Sequence, residues 1–153
     1  MDCKHWRATC ARHRRVVLAK HSAGSSSQRE CSIRLALTCQ LRPFETEYEV
    51  APGVLVHRTG GHTPGHSVVR LASGGDRLTF AGDAVFSVGF EHPDWFNGFE
   101  HFPEEAARVR VRLLRELAAN REPFVATHLS FPSVCHVAAA GDVFRWVPAT
   151  WEY

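Results

Sequence analysis

Three side chains in the second half of the sequence have the types and settings suited to holding a metal ion. His66 follows a Pro-Gly pair that forces a turn, so its imidazole emerges from a rigid loop. Asp83 ends one apolar run of the sequence, and His128 ends another. Imidazole and carboxylate groups are the ligands that zinc-type ions favour. Together the three residues predict a metal site at the ends of neighbouring strands.

The remaining candidate groups lack comparable settings. Cys135 and His136 are adjacent in sequence, which does not by itself place a thiol against an imidazole. The sequence contains no Gly-x-Ser-x-Gly elbow, so a serine nucleophile is unsupported as well. His57 is interpreted as an exposed or hydrogen-bonding side chain. Four other histidines offer imidazoles that could complete a metal site, but none matches a ligand motif, so the same interpretation is preferred for them; they are His62, His92, His101 and His136.

Short strands must position the three predicted ligands. Turn residues punctuate the chain from Tyr48 onward, and Gly74 and Gly75 suit the positive φ angles of a hairpin turn. A strand, a helix and further strands in succession predict a mixed α/β layer fold. The predicted strands are 48–50, 54–58, 67–72, 77–80, 124–127 and 143–147.

One helix is predicted from Pro103 to about Asn120. Proline is tolerated at the first helical position, and Glu104 and Glu105 favour the positive end of the helix dipole. Apolar residues recur at three- and four-residue spacing and predict one buried stripe, namely Ala106, Val109, Leu113, Leu114 and Leu117. Three arginines off that stripe predict a solvated face and not a nucleic-acid patch; they are Arg108, Arg112 and Arg115.

Composition favours a soluble, cytoplasmic protein with one core. The chain has 153 residues, of which 44% are hydrophobic, and no run approaches the roughly 18 apolar residues of a membrane-spanning helix. The basic N-terminus lacks the apolar segment of a secretory signal. Five cysteines form no Cys-x-x-Cys pair, so we expect reduced thiols.

Residues 1–42 differ in composition from residues 43–153. The first part has nine Lys/Arg and two Asp/Glu, against nine and fourteen in the second, and it has four of the five cysteines. Its Ser22 to Gln28 stretch is typical of a flexible connection, whereas the apolar runs 16–19 and 33–37 suit either a helical turn or a strand. A disordered tail, a basic arm and a segment native to another reading frame remain the alternatives.

The metal-ligand pattern resembles a known superfamily. Three segments are similar, in order and spacing, to the third, fourth and fifth metal motifs of the metallo-β-lactamase superfamily: Thr63-Pro64-Gly65-His66-Ser67, Gly82-Asp83 and Thr127-His128. Three others resemble its organophosphate-hydrolase and acyl-homoserine-lactonase-like members: residues 91–95, 128–137 and 144–148. The resemblance covers roughly residues 44–150.

The resemblance implies an α/β fold, a partial αββα sandwich made mainly of its C-terminal half. It implies a site of two zinc ions in which His66 binds the first, His128 the second, and Asp83, also the catalytic residue, bridges both. The reaction implied is metal-assisted hydrolysis of a small lactone, ester or phosphotriester. The superfamily's His-x-His-x-Asp-His motif is absent from the sequence, which predicts an incomplete site in a truncated domain.

Two functions follow, a metallo-hydrolase or a non-catalytic remnant or binding module of the same fold. Bound metal and turnover distinguish them. We expect a small-molecule substrate if the protein is active, and neither nucleic acid nor membrane as partner. Sheet surface left uncovered in a half-fold predicts homo-oligomers or aggregation.

Overall fold

The computed structural model describes residues 16–19 and 41–149, with side chains from residue 42 onward. The chain divides into two compact units, Met1–Glu45 and Thr46–Tyr153. In the first unit, strand β1 (Val16–Ala19) pairs in parallel with β2 (Leu41–Phe44). The apolar run 16–19 is therefore a strand, while the predicted flexible connection and the run 33–37 lie outside the described residues.

A seven-stranded sheet forms the second unit. Its strands lie side by side in chain order, and all neighbours are antiparallel except β6 and β7. That one parallel pair needs a crossover, which contains the long helix α1 (Pro103–Asn120). The strands are β3 (Glu47–Ala51), β4 (Val54–Arg58), β5 (Ser67–Ser73), β6 (Asp76–Phe80), β7 (Phe124–Val125), β8 (Cys135–Ala140) and β9 (Val143–Pro148).

The predicted hairpin at Gly74 and Gly75 is confirmed, and strands β3 and β4 form a second hairpin. In the β5–β6 hairpin Ser73 faces Asp76, and the two turn glycines between them have φ angles of +59° and +99°. In the β3–β4 hairpin Gly53 has φ +75°, and a Cβ there would lie 2.2 Å from the carbonyl oxygen of Ala72. Only glycine fits that position, because the turn packs directly on the neighbouring strand.

Helix α1 begins and ends where the sequence predicts. Pro103 occupies its first turn with two glutamates, and Arg121 in the left-handed conformation ends it with its N–H directed to the carbonyls of Leu117 and Ala118. The predicted apolar stripe is buried and the three predicted surface arginines are exposed. The stripe packs on the sheet in a core that contains Val68, Ala81, Ala84, Val85, Phe90, Phe124, Ala126, Cys135, Val137 and Phe144.

Two details of the sheet differ from prediction. The predicted strand 124–127 ends at Val125, because Thr127 donates its N–H to Gly82 outside the ladder, at 3.1 Å. Strand β8 was not predicted, because its run of alanines has low β-propensity. It forms nevertheless, because it pairs with β9 along its whole length. The mixed α/β class is confirmed. Among the described residues, no helix is both long and apolar enough to cross a membrane.

Candidate metal centre

The predicted ligands lie at one edge of the sheet. Val69 on β5 pairs with Phe80 on β6, and Phe80 pairs with Val125 on β7. Because β6 and β7 are parallel and β5 is antiparallel to them, the start of β5 and the ends of β6 and β7 share that edge. His66 immediately precedes β5, and the segments after β6 and β7 carry Asp83 and His128.

Asp83 lies at the centre of the candidate site. It belongs to a short 3₁₀ helix (Gly82–Ala84) that follows β6. Its Oδ1 is 3.2 Å from Nε2 of His128, and its Oδ2 is 3.4 Å from Nε2 of His62. The carboxylate thus has one imidazole nitrogen beside each oxygen. The side chains are 36% exposed for Asp83, 62% for His128 and 18% for His62, so the site opens on the His128 side.

His62, for which the sequence favoured a structural role, lies beside the Asp83 carboxylate. Its loop packs tightly against the start of α1: Gly61 has φ +76°, and a Cβ there would lie 2.7 Å from the backbone nitrogen of Ala106. The segment before α1 fixes the same loop, because His101 donates its N–H to the His62 carbonyl at 2.9 Å and Phe102 donates to Gly61 at 3.0 Å. The paired glycines before His62 were the available signal of a rigid, specialised loop.

His66 contacts Asp83 differently. Its Nε2 accepts a hydrogen bond from the backbone N–H of Asp83 at 3.2 Å, and its Nδ1 lies 2.6 Å from Oγ1 of Thr59. An accepting Nε2 places the ring proton on Nδ1, which then donates to Thr59. Both ring nitrogens are therefore engaged within the protein, and the ring holds the backbone of Asp83 in place.

Burial keeps His66 neutral. The pKa of His66 is lowered to about 4, chiefly by desolvation and also by the electrostatic effect of His62, while the Asp83 carboxylate acts in the opposite direction. The rings of His62 and His66 meet edge to face with centroids 5.7 Å apart. A neutral His66 keeps its Nε2 lone pair available to Asp83 throughout the neutral pH range.

The donor separations fit a zinc-type ion. Two ligands on a tetrahedral zinc, each about 2.0–2.1 Å from the ion, lie about 3.3 Å apart. Both pairs that involve Asp83 have that separation, at 3.2 and 3.4 Å. Among the described residues, no three or more His, Cys, Asp or Glu side chains are grouped closely enough to hold one ion. The arrangement is two half-sites that share one carboxylate, each with one histidine.

A pocket of about 280 Å³ opens beside His128. Leu129 and Ser130 line it and directly follow His128. The backbone of His128 bridges to Phe86, the neighbour of Ser87, which also lines the pocket. Apolar and polar groups share the lining, which consists of Ser87, Phe90, Glu91, Leu129, Ser130, Phe144, Arg145 and Trp146. Such a lining suits a small molecule with an apolar portion and a polar head.

The other reactive side chains take part in structural contacts. Cys135 is buried, and burial raises the pKa of its thiol to about 12, which makes it a poor nucleophile. Three of the remaining histidines have local partners: His57 lies 3.7 Å from Glu47, His92 stacks on Trp95 at 3.7 Å, and His136 lies 3.2 Å from the carbonyl oxygen of Arg121.

Comparisons with known proteins agree on one superfamily. The sequence profile of the metallo-β-lactamase superfamily matches residues 18–128, a match that begins inside the segment predicted to be atypical. An N-acyl homoserine lactonase from Bacillus sp is 28% identical over 112 residues, which are 72% of this chain and 44% of that protein.

Solved structures agree with the sequence match. The hydrolase AbOPH of the β-lactamase superfamily matches with a TM-score of 0.71 and 26% identity, over 82% of this chain and 44% of that one. AidC, a dizinc quorum-quenching lactonase, matches the fold with a TM-score of 0.71 at 23% identity and the same coverage. The chain spans less than half the length of these relatives.

Proposed function

Because the chain belongs to the metallo-β-lactamase superfamily, we propose that it functions as a zinc-dependent hydrolase of a lactone, an ester or a phosphotriester. One observation carries the proposal: the Asp83 carboxylate has an imidazole Nε2 beside each oxygen, at zinc-ligand separation. A carboxylate placed in this way is suited to share its charge between two cations.

In this proposal His62, Asp83 and His128 face the metal. His62 takes the place that the sequence analysis gave to His66, because both ring nitrogens of His66 already have partners. His66 then orients Asp83 through its backbone, as the outer partners of metal ligands commonly do. The more exposed His128 lies on the side from which a substrate would enter.

A bound zinc-type ion would polarise a carbonyl or phosphoryl oxygen and acidify water. The chain's own groups would supply the remaining requirements. Asp83 would provide the negative charge that retains a cation, the tightly packed His62 loop would fix the geometry, and the pocket beside His128 would bind the substrate. The apolar wall that Phe90, Leu129 and Phe144 form suits an acyl chain.

A lactone with an acyl chain is the substrate class we propose first. Two of the relatives are described as lactonases, one of them as an N-acyl homoserine lactonase. Arg145 and the two serines of the pocket offer hydrogen-bond donors for the polar head of such a molecule. A phosphotriester is the second substrate class to assay.

Metal affinity is the weak point of the site. A catalytic zinc normally has three protein ligands and a water, whereas each half-site here offers one histidine and a shared carboxylate. We therefore expect zinc binding weaker than in a site with three protein ligands per ion. A non-catalytic module of the same fold is the alternative outcome.

The test is turnover by the full chain after removal and return of zinc. Purified protein is dialysed against a chelator, reloaded with zinc, and assayed with an N-acyl homoserine lactone by proton release and with a chromogenic phosphotriester. We expect turnover that depends on zinc, is lost in Asp83→Asn and is retained in His57→Ala, since His57 lies outside the site. Zinc bound without turnover would favour the non-catalytic module, and turnover retained in Asp83→Asn would contradict the proposal.

A further inference from the structure

Helix α1 carries a fully buried arginine beside the candidate site. The side chain of Arg110 is 0% exposed and pairs with Glu100, which is 1% exposed. Its Nε donates to the carbonyl oxygen of Ala84 at 3.2 Å, and one Nη donates to the carbonyls of Pro93 at 3.0 Å and Trp95 at 2.8 Å. The guanidinium therefore binds one carboxylate and three backbone carbonyls.

Such a group is costly to bury. Burial lowers the pKa of Arg110, which the charge of Glu100 and the hydrogen bond between them oppose. Well-packed apolar side chains often replace buried ion pairs without loss of stability. Stability alone therefore does not account for a buried arginine at this point of the helix, and its contacts indicate what else it does.

Each of the three metal-facing residues is linked to Arg110. Ala84, whose carbonyl it binds, is the neighbour of Asp83. The guanidinium carbon lies 4.2 Å above the ring of Phe86, whose backbone bridges to His128.

The third link runs through the ion pair. Glu100, the carboxylate that Arg110 binds, precedes His101, and His101 donates its N–H to the carbonyl oxygen of His62 at 2.9 Å. A single planar group thus connects the segments that carry the site.

We propose that Arg110 is the positioning residue of the metal centre: its guanidinium, paired with Glu100, holds His62, Asp83 and His128 at the separation that a metal ion requires. The inference rests on the proposed function as far as metal is concerned. Arg110 acts through the backbone and touches neither metal nor substrate. Arginine is required because its planar fork of donors binds a carboxylate and several carbonyls at once, which a lysine cannot do.

Three variants perturb the link to different extents. Arg110→Met keeps an unbranched apolar stem and removes every donor, and Arg110→Lys keeps the charge without the fork. Gly89→Ala retains Arg110 in the sequence but moves its side chain, because the added Cβ would lie 2.8 Å from Cδ of Arg110. The matched control is Arg70→Met, because Arg70 binds Glu116 of the same helix through two hydrogen bonds of 2.5 and 2.9 Å and contacts no site residue.

The first readout is zinc affinity of the full chain, measured by competition with a chelating dye. Loss of an outer partner of metal ligands typically weakens metal binding by about 10- to 100-fold. We expect that loss in Arg110→Met and Arg110→Lys, a smaller loss in Gly89→Ala, and a change in Arg70→Met of less than about threefold. The Co²⁺ absorption bands should shift in the Arg110 variants and stay unchanged in Arg70→Met. Equal losses in Arg70→Met and Arg110→Met, or full affinity in Arg110→Lys, would overturn the proposal.

The second readout needs no metal. Hydrogen–deuterium exchange of the metal-free chain should be faster in Arg110→Lys and in Gly89→Ala at residues 61–62, 82–86 and 93–101, and unchanged in the 67–80 hairpin. If wild type binds no zinc but this pattern is seen, the proposed function fails and the positioning role stands. The positioning role is refuted if exchange increases equally in those segments and in the hairpin, or if it is unchanged in both variants. The comparison of Gly89→Ala with wild type judges the link even where Arg110→Met does not fold.

Discussion

Replacing Gly82 by alanine tests the contact on which the orientation of Asp83 depends. Gly82 has φ +55°, and a Cβ there would lie 3.0 Å from Nε2 of His66, the atom that accepts the Asp83 N–H. Gly74 has almost the same backbone conformation, φ +59°, yet a Cβ there would meet no heavy atom of the described chain within 4 Å. The pair Gly82→Ala and Gly74→Ala therefore separates the cost of the backbone conformation from the cost of displacing His66.

The expected magnitudes follow from these contacts. A left-handed conformation costs a non-glycine residue about 1–2 kcal/mol, and the less flexible unfolded chain returns about 0.4–1 kcal/mol. Gly74→Ala should therefore destabilise the protein by about 1 kcal/mol. Gly82→Ala should cost about 1 kcal/mol more, because it also weakens the hydrogen bond between His66 and Asp83.

Urea unfolding of the metal-free full chain, followed by circular dichroism, measures both variants. We expect a free energy of unfolding about 2 kcal/mol below wild type for Gly82→Ala and about 1 kcal/mol below it for Gly74→Ala. Zinc affinity should fall in Gly82→Ala alone, because only that change moves Asp83. Equal destabilisation with equal zinc affinity in the two variants would refute the role given to His66.

Further predictions concern acid stability, a buried hydrogen bond and self-association. The pKa of His66 is about 4 when folded and about 6.5 when unfolded, so the unfolded chain binds more protons between those values. The free energy of unfolding should therefore fall as pH drops from 6.5 to 4, and it should fall less steeply in His66→Gln. The same dependence on pH in His66→Gln and wild type would contradict this. Thr79→Val should cost about 1–3 kcal/mol in urea unfolding, because it removes the 2.5 Å hydrogen bond to the buried Glu122; no loss would contradict this. The half-exposed sheet residues Val50 and Phe80 favour self-association, which sedimentation velocity would detect and a monomer at all concentrations would exclude.

The sequence predicted those features that depend on local signals. The hairpin turns follow from glycines that adopt positive φ, and helix α1 follows from Pro103, its first-turn glutamates and its apolar spacing. Asp83 and His128 were found because each ends an apolar run of the sequence, and the parallel pairing of β6 and β7 brings the ends of these strands together.

The features that the sequence did not predict depend on tertiary contacts. The Pro-Gly turn singles out His66 in the sequence, whereas the ring directions in the structure show that His62 faces the carboxylate of Asp83 while His66 faces its backbone. Arg110 resembles the exposed arginines of its helix in sequence. Its burial depends on Glu100, from the segment before the helix.

Zinc binding by His62→Ala tests the central claim most directly. Equilibrium dialysis of the full chain, with His57→Ala as the matched histidine control, gives the zinc affinity of each protein. We predict that wild type and His57→Ala bind zinc equally, and that His62→Ala binds at least about tenfold more weakly. Equal zinc affinity in His62→Ala and wild type would contradict the claim that His62, Asp83 and His128 form the metal centre.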